Sequence, residues 1–210
     1  MSVKFLYLQN SVGQAPMGAL KKLQGYEIHM VQQYETDRLD WSDYHIVMIS
    51  MFADQIHLDE MRDKISAYLD GGGTLIINGH IARPFLPELT RYEPMPKRGV
   101  GELVVHREAQ HPALGEIDTV RMYKRNGVAG FYGRGTNPAP DGATVLHSVG
   151  PDHLAVDWIY DRPEGGRIFV HSGIELWMFL ISDYGQGPSY LQQFFDWFVA
   201  NSAMNKEGAA

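Results

Sequence analysis

Polar side chains stand at the end of the apolar run "GTLIINGHIAR", residues 73–83. Asn78, His80 and Arg83 follow residues of buried-strand character, and Gly79 between them favours a sharp turn. An imidazole can accept a proton near neutral pH, and a guanidinium binds carboxylates or phosphates through two N–H groups. The stretch predicts a catalytic His80, with Asn78 and Arg83 as ligand-binding groups. The alternative is that Gly79 only makes the turn, His80 is a partly buried polar cap and Arg83 is a solvated surface residue.

A second group of polar residues follows the apolar strand "RIFV", residues 167–170. Ser172 and Gly173 favour a tight turn whose backbone N–H groups could bind an anion. Neighbouring side chains on a strand point to opposite faces, so His171 and Ser172 do not form a nucleophilic pair by adjacency alone. We predict His171 as a second catalytic histidine, and Ser172 and Glu175 as ligand-binding residues.

The remaining histidine motif is weak evidence for a metal. His106 and His111 are five residues apart, so they do not share a helical face, and neither belongs to an HExxH pattern. A zinc site would also need a third ligand. His111 precedes Pro112 and is restricted to extended geometry, which favours a structural anchor. We predict no metal, with metal binding by His106 and His111 left open as the alternative.

We also predict no cofactor. The segment "GFYGRGTNPAPDG", residues 130–142, is glycine-rich, but it neither follows a strand nor opens a helix. A dinucleotide-binding fingerprint requires that context. A mobile lid and a plain exposed loop are both compatible with this segment.

Composition excludes several classes of protein. The 210 residues carry a formal net charge of −7, whereas a nucleic-acid-binding surface needs a basic stripe. No apolar stretch approaches the roughly 18 residues that a spanning helix needs, and the N-terminus lacks the features of a signal peptide. There is no cysteine, so disulfides are excluded. We expect a cytoplasmic protein that does not bind nucleic acid or membranes.

The first half alternates strands with helical periods. Apolar runs at 3–8, 26–31, 44–51 and 74–78 predict strands, and the third is nearly continuous in apolar residues, as in a sheet covered on both faces. Apolar residues at helical spacing predict a helix from Asp54 to Leu69, ended by Gly71, Gly72 and Gly73. A shorter helix is expected from Pro16 to Leu23. This order predicts an α/β fold with a parallel sheet.

The second half predicts further strands, some of them antiparallel. The runs "HLAVDWIYD" and "GRIFVHSG" are joined by a segment rich in Pro and Gly that suits a hairpin turn. The segment from Pro188 to Ala203 has one broad apolar face and predicts a helix that covers the sheet. We find no linker, so we predict a single domain over residues 1–203 and a flexible tail over 204–210.

Four motifs in this order resemble the class I glutamine amidotransferase-like superfamily, and within it the ThuA-like (trehalose-utilisation-type) and related members. They are "WSDYHIVMISM" (41–51), "YLDGGGTLIINGH" (68–80), "HPALGEID" (111–118) and "GRIFVHSG" (166–173). The resemblance spans roughly residues 3 to 200. It implies a flavodoxin-like three-layer α/β/α sandwich with a mostly parallel sheet, additional antiparallel strands, and a site at the carboxyl ends of the parallel strands.

The same resemblance argues against amidotransferase activity. Members that hydrolyse glutamine use a cysteine at the corner after a central strand, with a histidine and a glutamate on a later loop. Here the corner carries Gly79 and His80, and Glu175 follows His171 by four residues where the family spacing is two. A thiolate nucleophile cannot be replaced by another residue of this chain, so we predict no glutaminase activity.

Two functions remain as alternatives. In the first, the domain binds or acts on a polar small molecule, sugar-like or anionic, and His80 or His171 serves as general base of a hydrolase or isomerase. We then expect both imidazoles in one pocket. In the second, the domain is catalytically silent, and an apolar patch pairs subunits in a homo-oligomer. A cleft filled by Phe85, Tyr132 or Trp177 would favour the second.

Overall fold

A computed structural model describes residues 2–10, 17–97, 99–115, 117–125, 128–181 and 189–205. Strands occur throughout the chain, and they are β1 (Val3–Gln9), β2 (Tyr26–Gln32), β3 (Ile46–Ile49), β4 (Thr74–Asn78), β5 (Glu93–Pro94), β6 (Val105–Arg107), β7 (Lys124–Arg125), β8 (Val128–Ala129), β9 (Gly135–Thr136), β10 (Thr144–Val149), β11 (Leu154–Asp161) and β12 (Arg167–His171). The helices are α1 (Met17–Leu20), α2 (Gln55–Glu60), α3 (Arg62–Asp70), α4 (Thr119–Tyr123), α5 (Trp177–Leu180) and α6 (Leu191–Ala200).

Eight of the described strands form one sheet, in the order β2-β1-β3-β4-β12-β11-β10-β6. The five from β2 to β12 are mutually parallel, and β11, β10 and β6 continue the sheet in antiparallel fashion. The predicted parallel strands are confirmed, and β4 lies between β3 and β12 rather than at an edge. The predicted hairpin is also present, since β11 and β12 pair on either side of residues 162–166.

The two faces of the sheet bury separate apolar clusters. On one face, Phe5, Ile76 and Phe169 pack with Phe194 and Phe198 of α6. On the other face, alternate residues of the same strands pack against Leu58 of α2 and Ile65 and Leu69 of α3. Because side chains alternate along a strand, nearly continuous apolar strands supply both faces. The result is the flavodoxin-like α/β sandwich that the sequence predicts.

The helices depart from the sequence prediction at their ends. The segment predicted as one helix from Asp54 to Leu69 forms α2 and α3, because Met61 has a ψ of 8° that interrupts the α conformation. The first helix is only four residues long, and α6 begins at Leu191. The predicted helix starts at Pro16 and Pro188, and most of the predicted tail, lie outside the described residues. No described helix is long and apolar enough to cross a bilayer.

Candidate functional site

A row of polar side chains crosses the sheet where the parallel strands end. His171, the last residue of β12, is the register partner of Asn78 on β4 and of Asp157 on β11. Asp157 is in turn the partner of His147 on β10. Directly opposed residues on neighbouring strands lie on the same face of a sheet, so these four side chains form one line. We call Asn78, His171, Asp157 and His147 the polar row, and every member is buried.

Asp157 is the centre of the polar row. Its Oδ1 lies 2.6 Å from His171 Nδ1, and its Oδ2 lies 2.9 Å from His147 Nδ1. The Tyr132 hydroxyl donates a hydrogen bond to the same Oδ2. Burial alone would raise the pKa of Asp157, but the two imidazoles reverse that effect and hold the pKa below its ordinary value. The row therefore contains a buried carboxylate that accepts three hydrogen bonds.

Aromatic rings close the space beside His171. The Tyr132 ring packs edge-on against the imidazole, with ring centroids 4.8 Å apart, and Phe179 of α5 packs against Tyr132 at 5.0 Å. A side chain at Gly173 would collide with the Tyr132 carbonyl oxygen, and its Cβ would lie 2.7 Å from His171 Nε2. Glycine at this position is what allows the Tyr132 segment to sit directly over the histidine.

Asn78 and Ser172 join loops to the ends of the strands. Asn78 Oδ1 accepts from the Leu176 N–H at 2.9 Å. Ser172 Oγ accepts from the Asn137 N–H at 2.9 Å, and Asn137 in turn bonds the Gly79 carbonyl through its side-chain amide at 2.8 Å. Both predicted ligand-binding residues are buried and engaged in contacts within the chain. Their ligand-binding roles remain predictions.

Glu175 lies in a second buried polar group, at the ends of β1 and β3. Its Oε1 accepts from Ser50 Oγ at 2.6 Å and from the Met51 N–H at 3.0 Å. The Tyr7 phenol lies beside the carboxyl, and its pKa is raised by burial and by the Glu175 charge. Burial raises the pKa of Glu175 to about 7, although the hydrogen bonds from Ser50 and Met51 oppose the shift. A carboxyl of this kind changes charge near neutral pH.

Four buried polar atoms at this edge of the sheet have no hydrogen-bond partner of normal geometry in the described part of the chain. They are His171 Nε2, His147 Nε2, Glu175 Oε2 and Trp177 Nε1. Buried polar groups in proteins are almost always satisfied, so such atoms indicate a partner that is a water, an ion or a ligand. Trp177 packs on Tyr7 with ring centroids 5.7 Å apart, which places its indole beside the Glu175 group.

His80 and Arg83 lie outside the polar row. The His80 ring is exposed and stacks on Tyr92, with centroids 3.6 Å apart and planes 13° apart. Arg83 is exposed and pairs with Asp59, with Nε and Oδ2 3.1 Å apart. His171 is completely buried, so the two predicted catalytic histidines have separate environments, contrary to the expectation of a shared pocket. We call residues 79–83 the exposed corner.

Gly79 makes the corner possible. Its φ is +92°, a conformation that residues with a side chain rarely adopt. A Cβ at this position would lie 2.7 Å from the Met51 Cβ. The glycine therefore lets the chain leave β4 close to the end of β3, and it sends Asn78 and His80 into different surroundings.

His106 and His111 do not approach each other as metal ligands. His106 stacks on His153 at 4.4 Å between centroids, and His111 packs edge-on against Trp197 at the same distance. His111 Nδ1 also accepts from the Ala113 N–H at 3.2 Å. No group of three metal-ligating side chains occurs within the described ranges.

Open hollows occur at the other end of the sheet. One of about 590 Å³ is lined by residues 38–42 and by Lys64, Ala67 and Tyr68. Another of about 310 Å³ is lined by Gly72, Thr74, Arg167 and their neighbours. Thr74 is the first residue of β4, so this second hollow is at the amino-terminal edge of the parallel strands. Neither hollow is lined by a residue predicted as catalytic or ligand-binding.

Sequence reasoning missed Asp157 and His147, and it named Tyr132 only as a residue that could fill the cleft and not as a partner of Asp157. A signal was present for Asp157, because it is a charged residue in the middle of the otherwise apolar run "LAVDWIY" (154–160). Charged residues are almost never fully buried unless they are paired. His147 and Tyr132 had no comparable signal, because their link to Asp157 depends on the register of β10 against β11 and on the loop before β9.

These features define the class of protein. The chain is a flavodoxin-like α/β sandwich with a buried polar row at the carboxyl edge of its sheet, and it is similar to solved structures with glutamine-amidotransferase-like folds. No protein-family model matches the sequence, and no curated protein matches it. The assignment to ThuA-like proteins therefore stays a resemblance of sequence motifs.

Among the similar solved structures, three match this chain over nearly their whole length. The cytoplasmic protein STM3548 from Salmonella typhimurium has a TM-score of 0.61 and 12% identity, over 96% of this chain and 99% of that one. A candidate GMP synthase component from Thermoplasma acidophilum has a TM-score of 0.59 and 14% identity, over 99% and 97%. The mmIFT52 N-terminal domain has a TM-score of 0.51 and 13% identity, over 93% and 96%. At these identities the similarity shows the fold alone.

Proposed function

We propose that this domain binds a small polar molecule at the carboxyl edge of its sheet, between the polar row and the Glu175 group. The observation that carries the proposal is a set of buried polar atoms without a partner in the described residues, His171 Nε2, His147 Nε2 and Trp177 Nε1, beside a Glu175 carboxyl whose Oε2 has only the Tyr7 phenol near it. Each such atom costs about 1–3 kcal/mol of stability if it stays unpaired. A ligand or bound water that paired with several of them at once would recover that free energy.

The proposed chemistry does not involve a thiol. The chain has no cysteine, so it cannot form the thioester intermediate of a glutamine amidotransferase. If the bound molecule reacts, His171 is the candidate general base, because Asp157 orients its imidazole and would stabilise the imidazolium. Hydrolysis or isomerisation of a polar metabolite is the reaction class that such a base suits. His80 and Arg83 become candidates for the entrance to the site rather than for its centre.

Access to His171 would require movement of the aromatic residues above it. Tyr132 is 1% exposed and covers the imidazole together with Phe179. Gly130, Gly133 and Gly135 flank this tyrosine in the chain, and glycine can adopt backbone conformations that other residues rarely adopt. We therefore propose residues 130–135 as the segment that opens when the ligand enters.

The second candidate function is a catalytically silent assembly domain. It is favoured by the burial of Phe85, Tyr132 and Trp177, the three side chains expected to fill a vestigial cleft. Large apolar side chains on the outside would then contact a partner or a second copy, and they include Tyr34, Phe52 and Ile56. A cytoplasmic location is proposed for either function, supported by the cytoplasmic STM3548 neighbour.

A thermal-shift screen against a metabolite library tests the first function. A ligand at 100 times its dissociation constant stabilises the folded state by about 2.7 kcal/mol. We expect a compound that raises the melting temperature of the wild type and of an Arg62→Gln surface control, but not of His171→Gln or Glu175→Gln. Equal responses in all four proteins, or no response to any compound, would contradict the proposal.

Two further measurements separate the alternatives. Incubation with glutamine should release no ammonia above the buffer control. Light scattering over a range of protein concentrations tests assembly. A dimer abolished by Phe52→Ser and Ile56→Ser, together with a negative ligand screen, would favour the silent domain.

A further inference from the structure

The Asp157 carboxylate determines which hydrogen-bonding groups its neighbours can offer. An ionised carboxylate only accepts hydrogen bonds, so each group bonded to it must donate. Tyr132 donates its hydroxyl proton, and His147 and His171 both face the carboxylate with Nδ1. Each Nδ1 therefore carries a hydrogen. In a neutral imidazole the other nitrogen, Nε2, is then a hydrogen-bond acceptor.

The two histidines flank Asp157 on the neighbouring strands β12 and β10. Because both rings use Nδ1 to contact the same carboxylate, each ring keeps its Nε2 atom for another partner. His171 Nε2 lies beside the turn at Gly173, where an added Cβ would be 2.7 Å from it.

We infer that Asp157 makes the histidine part of this edge, His171 and His147, an acceptor surface that selects neutral, hydrogen-bond-donating ligands over anions. This inference rests on the proposed function and narrows its ligand class. Asp157 is a positioning residue here, since it acts through His171 and His147. The sequence left sugar-like and anionic ligands as equal alternatives, and the geometry favours a hydroxyl-bearing neutral molecule.

The charges around the site support the same selection. Glu175 adds a second buried carboxyl to this edge. Two arginines that could have balanced an anion are engaged elsewhere. Arg83 pairs with Asp59 on the surface, and Arg107, the register partner of His147, donates to the backbone carbonyls of Gly115 and Ile117. An anionic ligand at His171 would lie beside the Asp157 carboxylate with neither guanidinium donating to it, which is unfavourable at low dielectric. The Arg107 charge still acts on Tyr132 and opposes part of that penalty.

The tautomers can be measured without a ligand. Long-range ¹H–¹⁵N NMR spectra distinguish the Nδ1–H tautomer, the Nε2–H tautomer and the imidazolium. We expect Nδ1–H for His171 and His147 in the wild type. In Asp157→Asn, the carboxamide NH₂ can donate to one Nδ1, so one ring should switch to the Nε2–H tautomer. Wild-type rings that carry a hydrogen on Nε2 would overturn the inference, whether or not the variant folds.

Ligand selection is tested with matched neutral and anionic probes. Glycerol and myo-inositol are compared with glycerol 3-phosphate and myo-inositol 1-phosphate by thermal shift and calorimetry. We expect the neutral probes to bind the wild type at least tenfold more tightly than their phosphate esters, and His171→Gln to remove that preference. Tighter binding of the phosphates, lost in His171→Gln, would overturn the inference and leave the proposed function standing. Binding of none of the four would also overturn the inference, while the metabolite library separately decides the proposed function.

Discussion

The polar row and the exposed corner are adjacent in the chain, at Asn78 and Gly79, but Asn78 and His80 differ in burial and in the partners they contact. Asn78 is buried and bonded to the loop before α5, whereas His80 is exposed and stacked on a tyrosine. The row is held by a buried carboxylate with three donors, whereas Arg83 at the corner shares a single surface carboxylate with Arg62.

Position at a strand end is therefore a poor guide to chemistry by itself. His80 and His171 both follow apolar strands that end at the same edge of the sheet. The register of β12 against β11 places His171 opposite Asp157 inside the core. The left-handed turn at Gly79 takes His80 out of the sheet before it can join the row. Mutations in the two regions should differ in the size of their effects, and the neighbouring Glu175 group should add a pH-dependent one.

The largest effect is expected for Asp157→Ala. The variant leaves two imidazoles and a phenol buried without their acceptor, and each unpaired buried donor costs about 1–3 kcal/mol of unfolding free energy. Urea denaturation measures the loss. Asp161→Ala is the matched control, because Asp161 lies on the same strand but is exposed, and its pair with Arg167 should contribute less than about 1 kcal/mol. Equal losses of unfolding free energy in the two variants would mean that Asp157 stabilises the fold no more than a surface ion pair does.

A pH-dependent effect is expected for Glu175→Gln. Burial raises the pKa of Glu175 to about 7 in the folded protein, against an ordinary value of 4.5. The folded state then binds more protons than the unfolded state between these values, so the contribution of Glu175 to stability falls as pH rises through that window. Above pH 7 the accumulated loss is on the order of 3 kcal/mol.

The glutamine variant lacks this titration. We expect the unfolding free energy of the variant, relative to that of the wild type, to increase as the pH is raised from 5 to 8.5. Parallel curves for the two proteins would show that Glu175 titrates with its ordinary pKa. Glu60→Gln on α2 is the control, because it makes the same replacement of a carboxyl by an amide at an exposed position outside the site.

A smaller loss is expected for Gly79→Ala, the residue that separates the two regions. Alanine at a φ of +92° is strained, and its Cβ would press on Met51. Backbone strain of this kind costs of order 1–3 kcal/mol. Gly101→Ala provides the comparison, because its Cβ would meet no atom within 4 Å. Thermal unfolding of both variants measures the difference in melting temperature. Identical melting curves for Gly79→Ala and Gly101→Ala would contradict the claim that the turn after β4 requires glycine at position 79.

The smallest effects are expected at the exposed corner itself. His80→Ala loses a surface stacking contact, and Arg83→Ala loses an exposed ion pair. Surface pairs contribute about 0–1 kcal/mol, so each variant should unfold within about 1 kcal/mol of the wild type. If His80→Ala lowered the unfolding free energy as much as Asp157→Ala, the exposed corner and the polar row would have to be regarded as one network.

The order of the elements was predictable because it depends on local patterns. Continuous apolar runs identified β1 to β4 and β12, and the Pro- and Gly-rich segment at 162–166 identified the hairpin between β11 and β12. The short pieces were not predictable. Helices α4 and α5 and the two-stranded pairs β5–β9 and β7–β8 are too short to show a periodic pattern. The β5–β9 pair also joins residues more than 40 positions apart in the sequence.

The sequence by itself determined the sandwich and excluded thiol chemistry, because apolar periodicity and the absence of cysteine need no neighbours to be interpreted. It also brought His171, Glu175 and Asn78 to notice as polar residues at strand ends. Only the tertiary structure decided their partners. Asp157, His147 and Tyr132 meet His171 through strand pairing and packing between segments well separated along the chain, and contacts of that kind are set by register. The same register buried His171 while one left-handed glycine exposed His80, and no local pattern distinguishes those two outcomes.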